Sequence, residues 1–351
     1  MKENIFSIGI LGCGMIANYH AKAILEIPDA RLAGAFDKDW EHGRKFCETY
    51  GIRQFESMEA MLSSDEIDVI CICLPSGLHY SAAKECIHYG KHVIVEKPMT
   101  FTTAQADEII AMADAAGVQV SVISQLRYSQ SVSTLKNALQ QGYFGKPVAF
   151  DIYMKYYRDP EYYRSSSWKG TLEMDGGGAL MNQGVHGVDL LQYIAGPVVS
   201  VQALTATRCH SIEAEDTVAA VLEFENGALG VLQATTSVYP GFSRRLEICG
   251  TEGTAILRED AIEYCSFRDS SMQLPCQKPM VETGSRPDGM DHSLHKKQIA
   301  DFLLSLKENR RPFLDAREGK KTVQIIEAVY HAAATGKKVI ISNKEEEKKY
   351  A

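Results

Sequence analysis

The segment "VIVEKPMT", Val93 to Thr100, places an acid and a lysine between an apolar run and a proline. Val93-Ile94-Val95 has the β-branched pattern of a central strand, and Pro98 cannot donate to a ladder, so the strand is predicted to end there. Glu96 and Lys97 then lie at its carboxyl end, with side chains on opposite faces. This edge binds ligands in open α/β sheets, which favours a functional pair. The alternative is a surface turn with two solvated charges.

A second stretch that could do chemistry is "DGGGALMNQGVHGVDLLQYIAGP", in which Asp175 and three glycines precede a helical pattern that a Gly-Pro pair ends. The polar residues at one-face spacing on this predicted helix are Asn182, His186, Asp189 and Tyr193. A polar stripe is usually the solvated side, but this one contains no Lys or Glu. Gly184 and Gly187 each cost about 1 kcal/mol relative to alanine, which indicates close packing against a neighbour, of which the cofactor domain and a ligand are two candidates. Asn182 and His186 are therefore predicted to be functional.

The residues Gly12-Cys13-Gly14-Met15-Ile16-Ala17 match the pattern G-x-G-x-x-G/A, after an apolar N-terminal run and at the start of a helical pattern. Small residues there let the backbone approach a pyrophosphate at the helix N-terminus. Asp37 ends the next strand-like run, at the offset expected for a carboxylate that binds the adenosine ribose. Such a carboxylate repels a 2′-phosphate, so NAD is favoured over NADP, although Lys38 weakens that preference. The alternative for Asp37 is an ordinary turn aspartate.

The sequence predicts no metal site. The candidate ligands are His79, His186, Asp189, His292 and His295. No pair of them has a recognised metal-ligand spacing supported by a third ligand of the right type.

Composition limits the class of protein. A length of 351 residues allows about two domains, and the net charge of -8 argues against a nucleic-acid-binding surface, which needs clustered Lys and Arg. No apolar run approaches the roughly 18 to 20 residues of a membrane span, and the polar start lacks the apolar block of a signal peptide. The nine cysteines have no CxxC or zinc-finger spacing. We expect a cytoplasmic protein with reduced cysteines and no membrane partner.

Strand-like and helix-like segments alternate up to about residue 125, as in a doubly wound parallel sheet. From residue 126 a helix is followed by longer strand-like runs with hairpin turns such as Asn226-Gly227, which predicts an antiparallel sheet. The segment 266–291 reads as a loop, and two helices follow, at about 292–309 and 316–335. The predicted fold is α/β, with a dinucleotide-binding domain (1–125) and a C-terminal α+β domain (126–351) that contains a large, mostly antiparallel sheet.

Together with the glycine motif, "LPSGLHYSAAKECIHYGKHVIVEKPM" and "WKGTLEMDGGGALMNQGVHGVDLL" resemble the Gfo/Idh/MocA oxidoreductases, named for glucose-fructose oxidoreductase and inositol dehydrogenase. The resemblance extends to the segment that ends in "HAAATGKKV" and so covers nearly the whole chain. It implies a Rossmann domain and a second domain whose sheet forms a homodimer or homotetramer interface. The cofactor-binding residues it implies are Gly12, Gly14, Met15, Ile16, Asp37, Leu74, Pro75, His79, Glu96 and Lys97.

By this resemblance Glu96-Lys97-Pro98 is the family's EKP motif, with Lys97 in the active site and Glu96 near the nicotinamide ribose. Oxidation of a secondary alcohol moves a hydride to the nicotinamide while a base removes the hydroxyl proton. In the family the lysine and the histidine both contact the reacting hydroxyl, and the identity of the base varies. An imidazole titrates near neutrality, so we predict His186 as the base and Lys97 as the group that orients and polarises the oxygen.

Asn182 is the third predicted catalytic residue and a departure from the inositol dehydrogenases, which carry an aspartate four residues before the histidine. An amide can hold a hydroxyl but cannot ionise to support an imidazolium. The sequence therefore favours family members that act on sugars or sugar derivatives over a plain inositol dehydrogenase.

Aromatic and cationic side chains are predicted to line the substrate site, because sugars present CH faces to aromatic rings and hydroxyls to forked donors. The candidates are Arg127, Tyr128, Tyr157, Arg158, Arg164, Trp168, Tyr239 and His292. The arginines could also receive a carboxylate or a phosphate of the substrate. The alternative for each residue is a packing or surface role.

The function predicted from sequence is NAD-dependent oxidation of a secondary hydroxyl of a sugar, a sugar derivative or a cyclitol. One alternative is an NAD-dependent glycosidase, which oxidises its substrate transiently and regenerates NAD in each cycle. A second is a non-catalytic sugar or NAD sensor of the same fold, which the presence of Lys97 and His186 disfavours. A reductase working in the opposite direction also stays open, and the sequence does not name the sugar.

Overall fold

The computed structural model describes residues 5–279 and 291–341, and the chain divides into two compact units. The first unit comprises Met1–Tyr128 and Asp291–Val323, and the second comprises Ser129–Met290 and Gln324–Ala351. The predicted boundary lies after residue 125, but the structure groups a C-terminal stretch with the N-terminal unit. Most of the predicted loop 266–291 has neither helix nor strand through residue 279, and its remainder from 280 to 290 lies outside the described residues.

The first unit contains a six-stranded sheet with the order β3-β2-β1-β4-β5-β6. Its strands are β1 (Phe6–Leu11), β2 (Ala30–Phe36), β3 (Arg53–Gln54), β4 (Val69–Ile72), β5 (His92–Val95) and β6 (Val120–Val122). All neighbouring strands are parallel, and the order reverses between β1 and β4. The predicted doubly wound parallel sheet is confirmed.

Eleven α-helices occur in the described part of the chain. They are α1 (Met15–Leu25), α2 (Trp40–Tyr50), α3 (Met58–Leu62), α4 (His79–His88), α5 (Thr103–Ala116), α6 (Gln130–Gln140), α7 (Pro160–Arg164), α8 (Leu172–Asp175), α9 (Val185–Ala195), α10 (Ser293–Lys307) and α11 (Ala316–Thr335). Within residues 5–279 and 291–341, no helix combines the length and the apolar composition of a membrane-spanning segment.

Apolar side chains explain why α10 is grouped with the first unit. Every residue of β4 is buried, as expected for a sheet covered on both faces. One apolar cluster packs residues of β1, α1 and β4 together with Ile299, Phe302 and Leu303 of α10. A second cluster covers the opposite face with residues of α4 and α5. The N-terminal sheet therefore needs a C-terminal helix to complete one of its two layers.

The second unit is built on an eight-stranded sheet with the order β13-β12-β11-β7-β10-β9-β8-β14. Its strands are β7 (Pro147–Lys155), β8 (Val198–Ala206), β9 (Thr217–Phe224), β10 (Leu229–Thr235), β11 (Arg245–Gly250), β12 (Gly253–Arg258), β13 (Ala261–Phe267) and β14 (Val339–Ile340). Every pair is antiparallel except β7 with β10, which confirms the mostly antiparallel sheet. Buried and less buried residues alternate along β7 and β9, so one face packs inward and the other is more exposed.

Candidate active site

The turn after β1 is shaped for an anionic ligand. Gly12 has a φ of +86°, and a Cβ there would lie 2.9 Å from the carbonyl oxygen of Cys73, so the position requires glycine. Gly14 is the N-cap of α1, and a Cβ added to it would meet no protein atom within 4 Å. Glycine at this position leaves open space in front of a helix N-terminus, whose backbone N–H groups favour a phosphate. The turn therefore fits the pyrophosphate of a dinucleotide.

Asp37 directly follows β2 and supports the same turn. Its Oδ2 accepts a hydrogen bond from the backbone N–H of Cys13 at 2.7 Å, and its Oδ1 accepts one from that of Asp39 at 2.8 Å. Each carboxylate oxygen has a further lone pair, so the group is fixed in place and can still accept hydrogen bonds from a ribose. At the start of α1, Met15 is exposed and Ile16 is half-buried.

The loop after β4 contains Leu74 and Pro75, both half-buried, and leads to His79 at the start of α4. His79 is buried, with Nδ1 2.7 Å from the carbonyl oxygen of Pro98 and Nε2 2.8 Å from that of Leu74. Burial lowers the pKa of His79 in spite of these two carbonyl groups. The ring thus bridges the backbone of two loops, and a direct contact between His79 and the cofactor stays a prediction.

Glu96 and Lys97 directly follow β5. Glu96 is buried, with its Oε1 2.8 Å from His20 Nε2, and its Oε2 accepts from the backbone N–H of Lys97 at 3.2 Å. Burial opposes ionisation of Glu96, but the hydrogen bond and charge of His20 outweigh it and lower the pKa of the carboxyl to about 2. Burial also opposes a charge on His20, yet Cys73, Cys71 and Glu96 hold its pKa well above its usual range. The two side chains therefore form a buried ion pair, while Lys97 is half-buried.

The first unit brings most of its predicted site residues to one edge of the sheet. The glycine turn, Asp37, the Leu74 loop and the Glu96-Lys97 pair follow β1, β2, β4 and β5, which are neighbours in the order β2-β1-β4-β5. Carboxyl ends of parallel strands meet at one edge, and the point where strand order reverses forms a crevice for ligands.

Three residues of the first unit that the sequence predicts at the substrate site have side-chain partners elsewhere in that unit. Arg127 is buried, and its Nη1 lies 2.8 Å from Glu318 Oε2. The hydroxyl of Tyr128 donates to Asp301 at 2.8 Å, and the Nε2 of His292 lies 2.8 Å from Glu26 Oε1. These partners lie on α11, on α10 and just after α1, and the Tyr128 ring also packs on Phe313, so a role of these side chains toward a substrate stays a prediction.

In the second unit, Asn182 lies on a π-helical segment, Ala179–Gly184, that runs directly into α9. The start of the π-helical segment is held by a carboxylate that is distant in sequence. Glu215 accepts hydrogen bonds from the backbone N–H of Gly178 at 2.9 Å and from that of Leu180 at 2.8 Å. The hydroxyl of Tyr330 donates to the same carboxylate at 3.1 Å. Burial raises the pKa of Glu215 against these hydrogen bonds. Single π turns of this kind are frequent at functional sites.

A buried carboxylate is hydrogen-bonded to the side chain of Asn182. Asp175 accepts from the side-chain amide of Asn182 at 2.5 Å and from the backbone N–H of Gly170 at 2.8 Å. Both Asp175 and Asn182 are buried, whereas His186 on α9 is half-buried. The sequence places Asp175 before the glycines but assigns it no role. Its burial and its hydrogen bond to a predicted catalytic residue make it a candidate functional residue that sequence reasoning missed.

The polar stripe on α9 is not a solvated face, because Asp189 is buried and both His186 and Tyr193 are only half-exposed. Gly187 is the point of closest packing: a Cβ there would overlap the sulfur of Met154 on β7. The close packing expected at these glycines is present at Gly187, where the close neighbour is a strand of the same unit.

Arg158 joins a hydrogen-bonded chain that reaches Asn182. The guanidinium is buried and donates to Gln183 Oε1 at 2.8 Å. The Gln183 amide in turn donates to the Tyr162 hydroxyl at 2.8 Å and to Asn182 Oδ1 at 3.3 Å. Lys169 Nζ lies 4.0 Å from the centre of the Tyr162 ring, and burial lowers the pKa of this amine. Two cations thus lie close to a predicted catalytic amide, and Gln183, Tyr162 and Lys169 were not predicted.

Lys169 also borders an open cleft in the second unit. Its volume is about 640 Å³, and its lining includes Tyr163, Arg164, Gly170 and His210. Of the remaining predicted substrate residues, Tyr157 and Tyr239 pack edge to face with ring centres 5.3 Å apart, and Trp168 is half-buried. Arg164 is exposed and pairs with Glu161. The cleft gives the second unit room for a ligand larger than one sugar ring.

Comparison with known proteins identifies both parts of the chain. Residues 6–124 match a family described as an oxidoreductase family with an NAD-binding Rossmann fold, and residues 132–256 match the GFO/IDH/MocA C-terminal domain. The uncharacterized oxidoreductase YrbE of Bacillus subtilis is 30% identical over 258 residues, which is 70% of this chain and 72% of YrbE. D-apiose dehydrogenase of Paraburkholderia graminis is 25% identical over 97% of this chain and 91% of its own length.

A solved structure with a bound ligand is also similar. The WlbA dehydrogenase from Bordetella pertussis, in complex with NADH and UDP-GlcNAcA, is 32% identical to this chain with a TM-score of 0.85. The similarity covers 96% of this chain and 99% of the other. Both domains are therefore shared with a dehydrogenase that binds NADH and a nucleotide-linked sugar.

Proposed function

The chain belongs to the GFO/IDH/MocA family of NAD-binding oxidoreductases, and we propose from this premise that it oxidises a secondary hydroxyl of an acidic, nucleotide-linked sugar of the UDP-GlcNAcA type. The observation that carries the substrate class is that two cations contact the neighbours of Asn182: Arg158 donates to Gln183, which donates to Asn182, and Lys169 lies over the ring of Tyr162, which accepts from Gln183. Neutral sugars and cyclitols are the wider class of family substrates.

The residues that would hold NAD are those of the first unit's sheet edge. The N-terminus of α1 and the space at Gly14 receive the pyrophosphate, and Asp37 accepts hydrogen bonds from the adenosine ribose. The fixed carboxylate repels a 2′-phosphate, which accounts for a preference for NAD over NADP. Bound NAD would supply the hydride acceptor.

Two side chains act in the removal of the proton from the reacting hydroxyl. His186 removes it as general base, because an imidazole changes protonation state near neutral pH without an environmental shift. Lys97 donates a hydrogen bond to the substrate oxygen and stabilises the negative charge that develops as the proton leaves. Asn182, held by Asp175, orients a substrate hydroxyl.

The acidic substrate class follows from charge. Lys169 packs over the face of Tyr162 and forms no ion pair within the part of the chain that the structure describes. A half-buried amine in that position is stabilised by an incoming carboxylate, and a guanidinium binds carboxylates and phosphates through paired donors. The neighbouring cleft, bordered by Lys169 and Arg164, provides space for the nucleotide part.

We also propose that the chain forms a homodimer or homotetramer through the exposed face of the eight-stranded sheet. Apolar side chains on that face are exposed by half or more at four positions: Leu204, Val221, Leu229 and Ile340. A run of exposed apolar side chains on a regular sheet face is typical of a surface that a partner covers.

The test is NADH formation with UDP-GlcNAcA, UDP-GlcNAc, glucuronate, D-apiose and myo-inositol, measured on wild type, Lys97→Met and Lys45→Met. Lys45 is exposed on α2 and controls for loss of a positive charge. Turnover of UDP-GlcNAcA that Lys97→Met abolishes, with NAD binding retained, supports both reaction and substrate class.

Preference for UDP-GlcNAc or for the neutral substrates would reject the acidic class while keeping the dehydrogenase. NAD binding without net NADH formation from any sugar would reject the dehydrogenase. A chromogenic glycoside would then test the glycosidase alternative.

A further inference from the structure

Three buried side chains of the first unit lie close together, and the proposed reaction gives two of them no role. His20 comes from α1, Glu96 follows β5, and His295 lies on α10. Their exposed fractions are 0%, 5% and 1%. One ring nitrogen of each histidine and one carboxylate oxygen all lie within 4.8 Å of one another. Glu96 Oε1 is shared: it lies 2.8 Å from His20 Nε2 and 4.0 Å from His295 Nε2.

His295 is the least satisfied member of this cluster. Within the described residues, neither of its ring nitrogens has a hydrogen-bond partner, although both are fully buried. Its ring packs edge to face on His20 with centres 5.5 Å apart, so the imidazole is held in place by packing. Buried polar groups are normally paired, and one that is not points to a ligand that satisfies it.

We propose that His20, Glu96 and His295 bind a divalent transition-metal ion, with Zn²⁺ as the representative species. Two imidazoles and one carboxylate are a common ligand set for zinc in proteins, and they suit this ion better than Mg²⁺ or Ca²⁺, which prefer oxygen ligands. The fourth ligand would be a water molecule or the thiolate of Cys73, whose thiol adjoins His20 and would release its proton on binding.

A buried water is the competing occupant of this point. Water could bridge His295 and Glu96 while His20 keeps the proton of its contact with Glu96, whereas a metal ion would displace that proton and bind both imidazoles and the carboxylate. Neither ring nitrogen of His295 has a hydrogen-bond partner within the described residues, so the imidazole can offer a lone pair to a ligand. The Glu96 carboxylate oxygens have lone pairs beyond those used by His20 and Lys97. A cation satisfies several lone pairs at once and neutralises the carboxylate.

The metal would have a structural effect on the edge of the sheet. Glu96 directs Oε1 into the cluster and uses Oε2 to hold the backbone N–H of Lys97. A metal bound to Oε1 would therefore fix the residue that precedes Lys97 and connect α1, β5 and α10. This inference does not depend on the proposed substrate or reaction.

The experiment measures bound metal directly. Wild type, His295→Ala and His88→Ala are produced in zinc-supplemented medium, desalted into metal-free buffer, and analysed for metal per chain by plasma mass spectrometry. His88 is an exposed histidine of the same unit and controls for adventitious surface binding. We expect about one zinc per chain in wild type and His88→Ala, and loss of that zinc in His295→Ala. A strong chelator should lower the melting temperature of wild type but not of His295→Ala.

A second readout protects the test against a variant that fails to fold. Wild-type protein loaded with Co²⁺ should show the intense visible absorption of tetrahedral cobalt, and a sulfur charge-transfer band would identify Cys73 as the fourth ligand. Sub-stoichiometric metal in wild type, unaffected by His295→Ala and without a cobalt spectrum, would overturn the proposal in favour of water.

Discussion

The side-chain amide of Asn182 donates to the carboxylate of Asp175 at 2.5 Å, and both groups are buried in the second unit. Asn182 carries no charge of its own, so the negative charge at this position comes from Asp175, to which its amide is hydrogen-bonded. The hydrogen bond also fixes the amide with its oxygen on the side of Gln183, which donates to it at 3.3 Å. The orientation of the predicted catalytic amide therefore depends on Asp175.

The first prediction concerns the loss of the buried negative charge of Asp175. Asp175→Asn keeps the size of the side chain and an acceptor for Asn182 but removes the buried charge. We expect kcat to fall by about 100-fold, at the low end of what acid–base groups contribute, with little change in the KM for NAD. The pH profile of kcat should shift as well, which a purely structural defect would not produce. Glu173→Gln, an exposed change on the same short helix, is the control and should retain activity.

The glycine turn gives a prediction that separates folding from cofactor binding. Gly14→Ala adds a methyl group where no protein atom lies within 4 Å, at a backbone φ of -70° that alanine adopts freely. We expect an unchanged melting temperature and a Kd for NAD raised about tenfold or more, equivalent to roughly 1.4 kcal/mol, measured by calorimetric titration. If folded Gly14→Ala protein bound NAD with wild-type affinity, this would contradict the prediction that the pyrophosphate binds at this turn.

The buried ion pair predicts how stability responds to pH. The pKa of Glu96 is lowered from 4.5 to about 2, so its contribution is present above pH 4.5 and is lost as the pH falls toward 2. The pKa of His20 is raised well above 6.5, so its contribution is lost only as the pH rises past neutrality. Urea unfolding of metal-free protein, kept in a strong chelator, should show that the stability difference between wild type and Glu96→Gln shrinks from pH 4.5 to pH 2. A constant difference over that range would contradict the ion pair.

The exposed sheet face predicts the effect of a surface charge on assembly. Val221 on β9 lies directly opposite Val231 on β10, and the Val221 side chain is 53% exposed. We expect Val221→Lys to reduce the molar mass in light scattering from that of an oligomer to that of one chain. Leu25→Lys, at an exposed apolar position at the end of α1, should leave the mass unchanged. A wild-type protein that is already monomeric would reject the interface.

Local patterns made much of the fold predictable. The helices α10 and α11 occur close to the predicted ranges 292–309 and 316–335, because their apolar spacing is regular over several turns. The glycine turn, Asp37 and Glu96-Lys97 were likewise found because each is a short motif beside a strand end. The predicted antiparallel sheet followed from alternation, although its one parallel pairing, β7 with β10, did not.

Features that depend on distant residues were not predictable. The π-helical segment at 179–184 relies on Glu215 and Tyr330, which no local pattern connects to it. The side chains around Asn182 come from separate segments, and Gln183 and Tyr162 look like ordinary surface residues in sequence. The three-residue cluster of His20, Glu96 and His295 has no short spacing at all, which explains why a search for metal-ligand motifs did not find it.

The return of α10 to the first unit has a consequence for synthesis on the ribosome. The N-terminal sheet lacks Ile299, Phe302 and Leu303 until the chain has been translated almost to its end. During that interval the growing polypeptide exposes an apolar sheet face that chaperones can bind. The second unit is also incomplete then, because it includes the residues from Gln324 onward. An expression product truncated after residue 125 would keep that face uncovered permanently and should accumulate in inclusion bodies.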